Sequence, residues 1–386
     1  MSRAASLDPA EIAEWSAWLR LLETPGVGRV TARRLLAVHG SAQSIFAASL
    51  AALVDRKTAL ALAQPPEGWA ALVERTRAWL EKPRPGEPAH HLIVLGDGRY
   101  PPLLGQLADP PLLLHAVGRL ELLERAAVAV VGSRNPTVQG VDLARTFAAG
   151  LSQAGITVVS GLALGIDAAA HEGGLSGPGG TIAVVGTGLD RIYPRSHLAL
   201  GRRIAETGLL LSEFVLGTPP LAAHFPQRNR LIAGLSLGTL VVEANVQSGS
   251  LITARLASEA GREVMAIPGS IHSPQSRGCH ALIKQGAKLV ESLEDILEEL
   301  RILPGAACPV AAEGPDPAGT TAPGSDDGDS PDPVLRALGW SPATLEVLQL
   351  RTGQSATDLT VRLFELEMDG HIARLPGEIF QRKACA

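Results

Sequence analysis

The chain has 386 residues, of which 46% are hydrophobic, 19% charged and only 3% aromatic. That length predicts two or three domains with at least one full core, and the composition excludes wholesale disorder. A net charge of −5 argues at first against a nucleic-acid partner, but residues 302–333 hold six acids and no Lys or Arg, which leaves the rest of the chain at +1.

The three cysteines, Cys279, Cys308 and Cys385, stand far apart with no CxxC. They support neither a disulfide framework nor a cysteine zinc site, and a reducing cytoplasm is expected. The N-terminal stretch lacks the apolar core of a signal peptide and no run reaches the ~18 apolar residues of a membrane span, so a soluble protein without membrane contact is expected.

Residues 1–82 read as a helical domain. Two apolar-periodic segments flank the turn Pro25, Gly26, Val27, Gly28. This is a helix-hairpin-helix or SAM-like pattern, in which Gly26 and Gly28 leave backbone N–H groups free to meet a phosphate, with Arg29 beside them. A helical packing module with a glycine turn has the same pattern.

After the break EKPRPGEP at 81–88, residues 83–301 alternate short β-branched runs with amphipathic stretches: AVAVVG, ITVVSG, TIAVVG, LLLSE, TLVVEA and REVMAIPG. The pattern predicts a Rossmann-type parallel, doubly wound sheet, with polar loops at the strands' carboxyl ends, where open α/β sheets bind ligands. A dinucleotide fingerprint is missing: GTGLDR lacks the third glycine, and the second strand ends in Ser160 and Gly161 rather than an acid. No GxxxxGK[ST] phosphate loop occurs either, so no nucleotide cofactor and no metal is expected.

The loops nevertheless supply small residues, hydroxyls and helix starts suited to phosphates. Gly132, Ser133 and Arg134 make one, Gly161 to Asp167 a second, and Ser248, Gly249 and Ser250 a third, with Ser250 a candidate N-cap. In HFPQRNRLIAGLS, Phe225 sits in a polar stretch where an exposed ring invites base stacking, and Arg228 and Arg230 flank Asn229 as candidate phosphate clamps. The same residues also fit a plugged core with one arginine paired to Glu243. Six arginines, at 191, 195, 202, 203, 228 and 230, face only Glu206 and Glu213 within 191–230. Asp167 and His171, four residues apart, are expected to cap and hydrogen-bond their own loop, because no nucleophile or metal motif accompanies them.

Residues 302–333 read as a disordered Pro, Gly and Asp linker. Residues 334–386 read as helix, turn, helix and hairpin, a winged-helix pattern. Its second helix carries Asp358, Glu365, Glu367 and Asp369 against Arg362, which disfavours major-groove reading and suggests a packing or docking role.

In order and spacing, VVGSRNPTVQG, SGLALGIDAAAHEGGL, VVGTGLDRIYPRSH, LLLSEF, HFPQRNRLIAGLS, VVEANVQSGSLITARLASEAGREVMAIPG and LIKQGAKLV resemble the DprA/Smf family of DNA-processing proteins over residues 92–297. The flanking helical and winged-helix units also look like that family's. The resemblance implies a non-catalytic protein that binds single-stranded DNA without sequence preference, dimerises, and helps load the RecA recombinase during natural transformation. It implies a DNA-binding edge at Gly132, Ser133 and Arg134, at Phe225, Arg228, Asn229 and Arg230, and at Ser248, Gly249 and Ser250. Where family members often have a basic residue before the HFP stretch, this chain has Leu221, Ala222 and Ala223, which is expected to weaken binding by a monomer.

The rival expectation is a nucleotide-binding Rossmann-type enzyme, such as a nucleoside-phosphate glycosidase, with Glu213 or Glu243 as general acid/base. A duplex-binding regulator acting through the winged helix is the third.

Overall fold

A computed structural model describes residues 8–47, 54–83, 86–301, 332–339, 342–375 and 377–383. The first unit is helical. Asp8 accepts the Ala10 N–H and opens α1 (Pro9–Glu23). A turn then leads into α2 (Arg29–His39), followed by α3 (Ala42–Ala47), α4 (Arg56–Ala63) and α5 (Trp69–Leu80). Gly26 makes the turn at φ +84°, where a side chain is disfavoured; a Cβ there would also come 3.0 Å from Thr58 Oγ1 on α4. Trp15, Trp18, Leu19, Leu35, Ile45 and Leu62 form its core, which runs on into Leu112 and Leu113 at the edge of the sheet.

The second unit is a nine-stranded sheet. It contains β1 (His90–Val94), α6 (Pro102–Gly105), β2 (Leu113–Gly118), β3 (Ala127–Val131), α7 (Val138–Gln153), β4 (Thr157–Ser160), α8 (Ile166–Gly174) and β5 (Thr181–Val184). It continues through α9 (Leu198–Thr207), β6 (Leu209–Ser212), α10 (His224–Gly234), β7 (Gly238–Val241), α11 (Ser250–Glu259), β8 (Glu263–Ala266), α12 (Arg277–Lys284), β9 (Lys288–Leu289) and α13 (Leu293–Glu299).

The six expected runs are β3 to β8, and every pairing among them is parallel. The spatial order is β1-β2-β6-β5-β4-β3-β7-β8-β9. Strand β3 is central, successive strands run outward on one side to β6 and on the other to β9, and the direction of winding reverses between β3 and β7. A doubly wound sheet opens its ligand crevice at that switch point. The antiparallel pair β1–β2, connected through the short α6, joins β6 antiparallel, a pairing that βαβ alternation does not signal. Alternate residues face opposite cores: Ala129 and Val131 pack in one, Val128 and Val130 in the other, so each strand is buried on both faces.

The third unit comprises α14 (Pro333–Leu338), β10 (Ala343–Thr344), α15 (Leu345–Thr352), α16 (Ala356–Met368), β11 (Ile372–Leu375) and β12 (Ile379–Arg382), with strand order β10-β12-β11. Most of the expected linker lies outside the described residues. Its last two positions are not linker: Asp332 accepts the Val334 and Leu335 N–H groups and binds Arg362 Nε at 2.8 Å, and Pro333 opens α14. The wing meets the sheet unit where buried Gln381 Oε1 accepts the Val138 N–H at 3.0 Å, at the start of α7. No helix among the described residues is long and apolar enough to cross a membrane.

Candidate functional site

A cavity of 620 Å³ opens at the switch point, walled by the loops after β3 and β7, the loop after β4, and the first turns of α10 and α11. Of the expected edge, Gly132, Ser133, Arg134, Phe225, Arg228, Asn229, Ser248, Gly249 and Ser250 line it; Gly161 lines a smaller adjoining cleft.

These residues do different work. Arg134 is exposed, meets no carboxylate among the described residues, and lies over the Phe225 ring, 5.6 Å from its centre. That is a cation–π pair at the cavity mouth. Phe225 is half-buried on α10, so HFPQRNR is helix rather than the expected polar loop. Pro226 is tolerated because it falls in the first turn, where its missing N–H has no helical partner to lose. Across the cavity Ser248 Oγ and Ser250 Oγ are 2.7 Å apart, and exposed Gly249 is the N-cap of α11. Ser250 is therefore the first helical residue, not the cap.

Ser133 is buried. Its hydroxyl accepts the Asn135 N–H at 3.1 Å and donates to Gln275 Oε1, while Gln275 Nε2 donates to the Asn135 carbonyl at 3.0 Å. Gln275 thus clamps the loop that presents Arg134. Sequence reasoning missed it, since a contact spanning 140 residues leaves no local signal. Gly132 serves packing: a Cβ there would lie 2.6 Å from Ile166 and 2.9 Å from the Glu243 carbonyl.

Arg228 is not the exposed clamp expected. It is 3% exposed and forms the cavity floor, donating through Nη1 to the Val184 carbonyl at 2.6 Å. Burial pulls its pKa down to about 10, with Asp167 opposing, so it stays cationic at neutral pH. Gly161 makes room for it, because a Cβ at 161 would stand 1.9 Å from Arg228 Nη1.

Asp167 caps its loop as expected, accepting the Gly161 and Ala163 N–H groups at 3.1 and 3.2 Å. Burial raises its pKa against Arg228 and those bonds. His171 Nε2 accepts the Leu162 N–H, so its Nδ1 carries the proton and donates to Thr181 Oγ1 at 2.8 Å. Burial pushes that imidazole down to about 3. Both side chains hold the loop in shape.

Arg230 and Arg29 sit elsewhere than expected. Arg230 points away from the cavity to the buried Glu213 carboxylate and to the Asp109 carbonyl at 2.6 Å. Arg29 reaches the same Glu213 at 3.0 Å and Asp109 at 2.8 Å. The two arginines fasten the helical unit to the sheet. Gly26 and Gly28 remain exposed beside a turn whose expected cation has been turned inward. Glu213 and Glu243, the acid/base candidates, are both engaged away from the cavity. Glu243 accepts the N–H of Thr137, the N-cap of α7, at 2.9 Å and its hydroxyl at 2.5 Å, and burial raises both carboxyl pKa values.

A β3–β7 switch-point cavity with glycine and serine walls, flanked by a helical hairpin unit and a winged helix, defines a three-part Rossmann-type binding protein. Comparison with known proteins takes this further. Residues 91–301 match the model of DNA recombination-mediator protein A, residues 13–68 a DprA-like N-terminal helix-hairpin-helix domain, and residues 317–378 the DprA winged-helix domain. The chain belongs to this DprA/Smf family. It is 44% identical over 321 residues to Protein Smf of Escherichia coli, covering 81% of this chain and 82% of that one. Among solved structures it resembles DNA processing protein A of Streptococcus pneumoniae, with a TM-score of 0.60 and 38% identity over 74% of this chain and 97% of that one. It also resembles the Helicobacter pylori protein solved for its single-stranded DNA binding mode, with a TM-score of 0.51 and 31% identity over 55% of this chain and 95% of that one.

Proposed function

We propose that the protein binds single-stranded DNA without sequence preference along this cavity edge, acts as a homodimer, and loads a RecA-class recombinase onto the bound strand without covalent chemistry of its own. The observation that carries this is Arg134 over Phe225: an exposed cation that meets no carboxylate among the described residues and a ring at one cavity mouth offer a phosphate contact and a stacking face together. Neither contact distinguishes one base from another. Asn229, Ser248 and Gly249 add amide, hydroxyl and main-chain groups opposite, and buried Arg228 contributes fixed positive charge from below. The Helicobacter pylori relative, studied for its binding of single-stranded DNA, supports the same ligand here.

The charge supports two copies on one strand. Leu221, Ala222 and Ala223 supply no cation beside Phe225, so one copy holds few phosphates and a pair holds twice as many. Asp167 is the one carboxylate among the described residues lining the cavity, and its two N–H bonds commit it to the loop, which favours binding over the nucleotide-hydrolysing alternative.

The test is fluorescence anisotropy of labelled oligo-dT against a duplex of equal length over a salt series, with wild type and the double change Arg134→Ala, Phe225→Ala. Expected are a single-strand preference, a log–log salt slope of about −0.7 per phosphate contact, and at least a roughly tenfold loss in the double variant. Failure of the full chain to bind either form at low salt overturns the reading and returns the cavity to a small nucleoside phosphate. Loading is tested on a strand precovered with single-strand-binding protein; recombinase filaments that nucleate no faster with this protein present overturn that part alone.

A further inference from the structure

The loop 186–197 borders the ligand edge on the side away from α11, and it is tied down along its length. Asp190 Oδ1 accepts the Gly217 N–H at 2.8 Å, Ile192 packs on Gly201 so closely that a Cβ there would be 2.5 Å away, and His197 Nδ1 donates to the Leu162 carbonyl at 3.0 Å. Between these anchors Tyr193 stands 47% exposed. Its ring centre lies 5.8 Å from that of Phe225, tilted by 38°. A cleft of 70 Å³ borders the two rings, with exposed Leu164 on its rim, and it shares Arg134, Ala163, Phe225 and Arg228 with the main cavity.

Past Tyr193 the surface turns basic. Arg195, Leu198 and Arg202 recur at spacings of three and four, which sets them on one helical face, and Arg203 lies beside them. All four are exposed, and the three arginines meet no carboxylate among the described residues.

We propose that Tyr193 is a second base-stacking position, and that the strand leaves the main cavity past Phe225, over Tyr193 and along the arginines of α9. The proposal rests on single-stranded DNA being the ligand. A stacked strand advances about 3.4 Å per nucleotide, so a base between two rings needs about 6.8 Å; rings 5.8 Å apart and tilted by 38° admit none between them and instead offer their outer faces to bases that have left the continuous stack. A rigidly held, half-exposed tyrosine fits that task, and a mononucleotide would fill only one of the two positions.

Full-length wild type, Tyr193→Ala, Tyr193→Phe and the pair Arg202→Ala, Arg203→Ala are titrated against an oligo-dT length ladder over a salt series, with Phe225→Ala as reference. Tyr193→Ala is expected to weaken long oligonucleotides about tenfold and leave the shortest binding length unchanged, with wild-type melting; Tyr193→Phe keeps wild-type affinity; the arginine pair lowers the salt slope by about 1.4. Wild-type affinity of Tyr193→Ala at every length, while Phe225→Ala loses binding, overturns the inference and leaves the single-strand reading intact. Equal losses in Tyr193→Phe and Tyr193→Ala overturn the stacking role. No single-strand binding by wild type overturns the underlying reading, and the inference with it.

Discussion

Gly161→Ala tests whether the cavity floor is built as described. The new methyl would lie 1.9 Å from Arg228 Nη1 and 2.5 Å from its Cζ, so the guanidinium must move. Moving it breaks the 2.6 Å bond to the Val184 carbonyl, a charge-assisted bond of roughly 1.5–3 kcal/mol, and overpacks a filled site at about 1–3 kcal/mol more. A total near 3–5 kcal/mol corresponds to a melting temperature lower by about 10 °C for a unit of this size. Gly249→Ala is the control: no atom lies within 4 Å of its added Cβ, its φ of −62° suits alanine, and its stability change stays within about 0.5 kcal/mol. Urea unfolding of both variants, and of Gly161→Ala on an Arg228→Met background, separates the contact from general loop damage. Equal, small effects at 161 and 249, or an unchanged cost for Gly161→Ala when Arg228 is already methionine, would refute the argument.

Arg230→Ala leaves Glu213 buried with Arg29 as its remaining cation; it is expected to lower stability by about 3 kcal/mol while the salt slope of DNA binding stays unchanged, and a reduced slope would show that Arg230 meets phosphate after all. For pH, the folded state holds His171 at about 3 and His115 at about 4, against about 6.5 when unfolded. The unfolded chain therefore binds protons first, and this stability is complete above pH ~6.5 and lost as pH falls toward 3–4. Asp167, Glu213 and Glu243, raised by burial, act in the opposite sense, so the difference between variants is the cleaner measure. His171→Gln should lose about 2 kcal/mol less than wild type between pH 7.5 and pH 5 in urea titrations, and an identical fall in both contradicts the assignment. Ala222→Lys puts a cation on the cavity wall where the chain has none; single-strand affinity is expected to rise and the salt slope to steepen by about 0.7, and an unchanged slope means the strand does not pass that wall.

The sheet was legible because its central strands are buried on both faces and read as continuous β-branched runs, and the loops were legible because each run stops at a small or polar residue. Strands β1 and β2 were not, since their antiparallel pairing lies outside a βαβ pattern. The loop-holding bonds of Asp167 and His171 were legible because no nucleophile or metal motif accompanies the pair in the sequence. The partners of Arg29 and Arg230 could not follow from spacing at all: Arg29 meets Glu213 across 184 residues, a pairing that only the packed tertiary structure creates. Tyr193 had a readable signal, an aromatic residue at a strand-end loop in a chain with only two tyrosines, yet its value depends on a ring 32 positions away.

The arginines show why a basic stretch in sequence is not yet a basic surface. Of the six between 191 and 230, Arg228 donates to the Val184 carbonyl, Arg230 donates to the Glu213 carboxylate and the Asp109 carbonyl, and Arg191 lies 3.3 Å from Asp190. A guanidinium has five N–H donors in a rigid fork, which makes it as good a strut between helix and sheet as a phosphate ligand. Arg134, Arg195 and, on α9, Arg202 and Arg203 meet no carboxylate among the described residues, and their charge stands at the surface. The exposed cations therefore run from Arg134 at the cavity mouth to the arginines of α9, while in the RNR segment, where the sequence concentrates them, Arg228 is held in the cavity floor and Arg230 against Glu213.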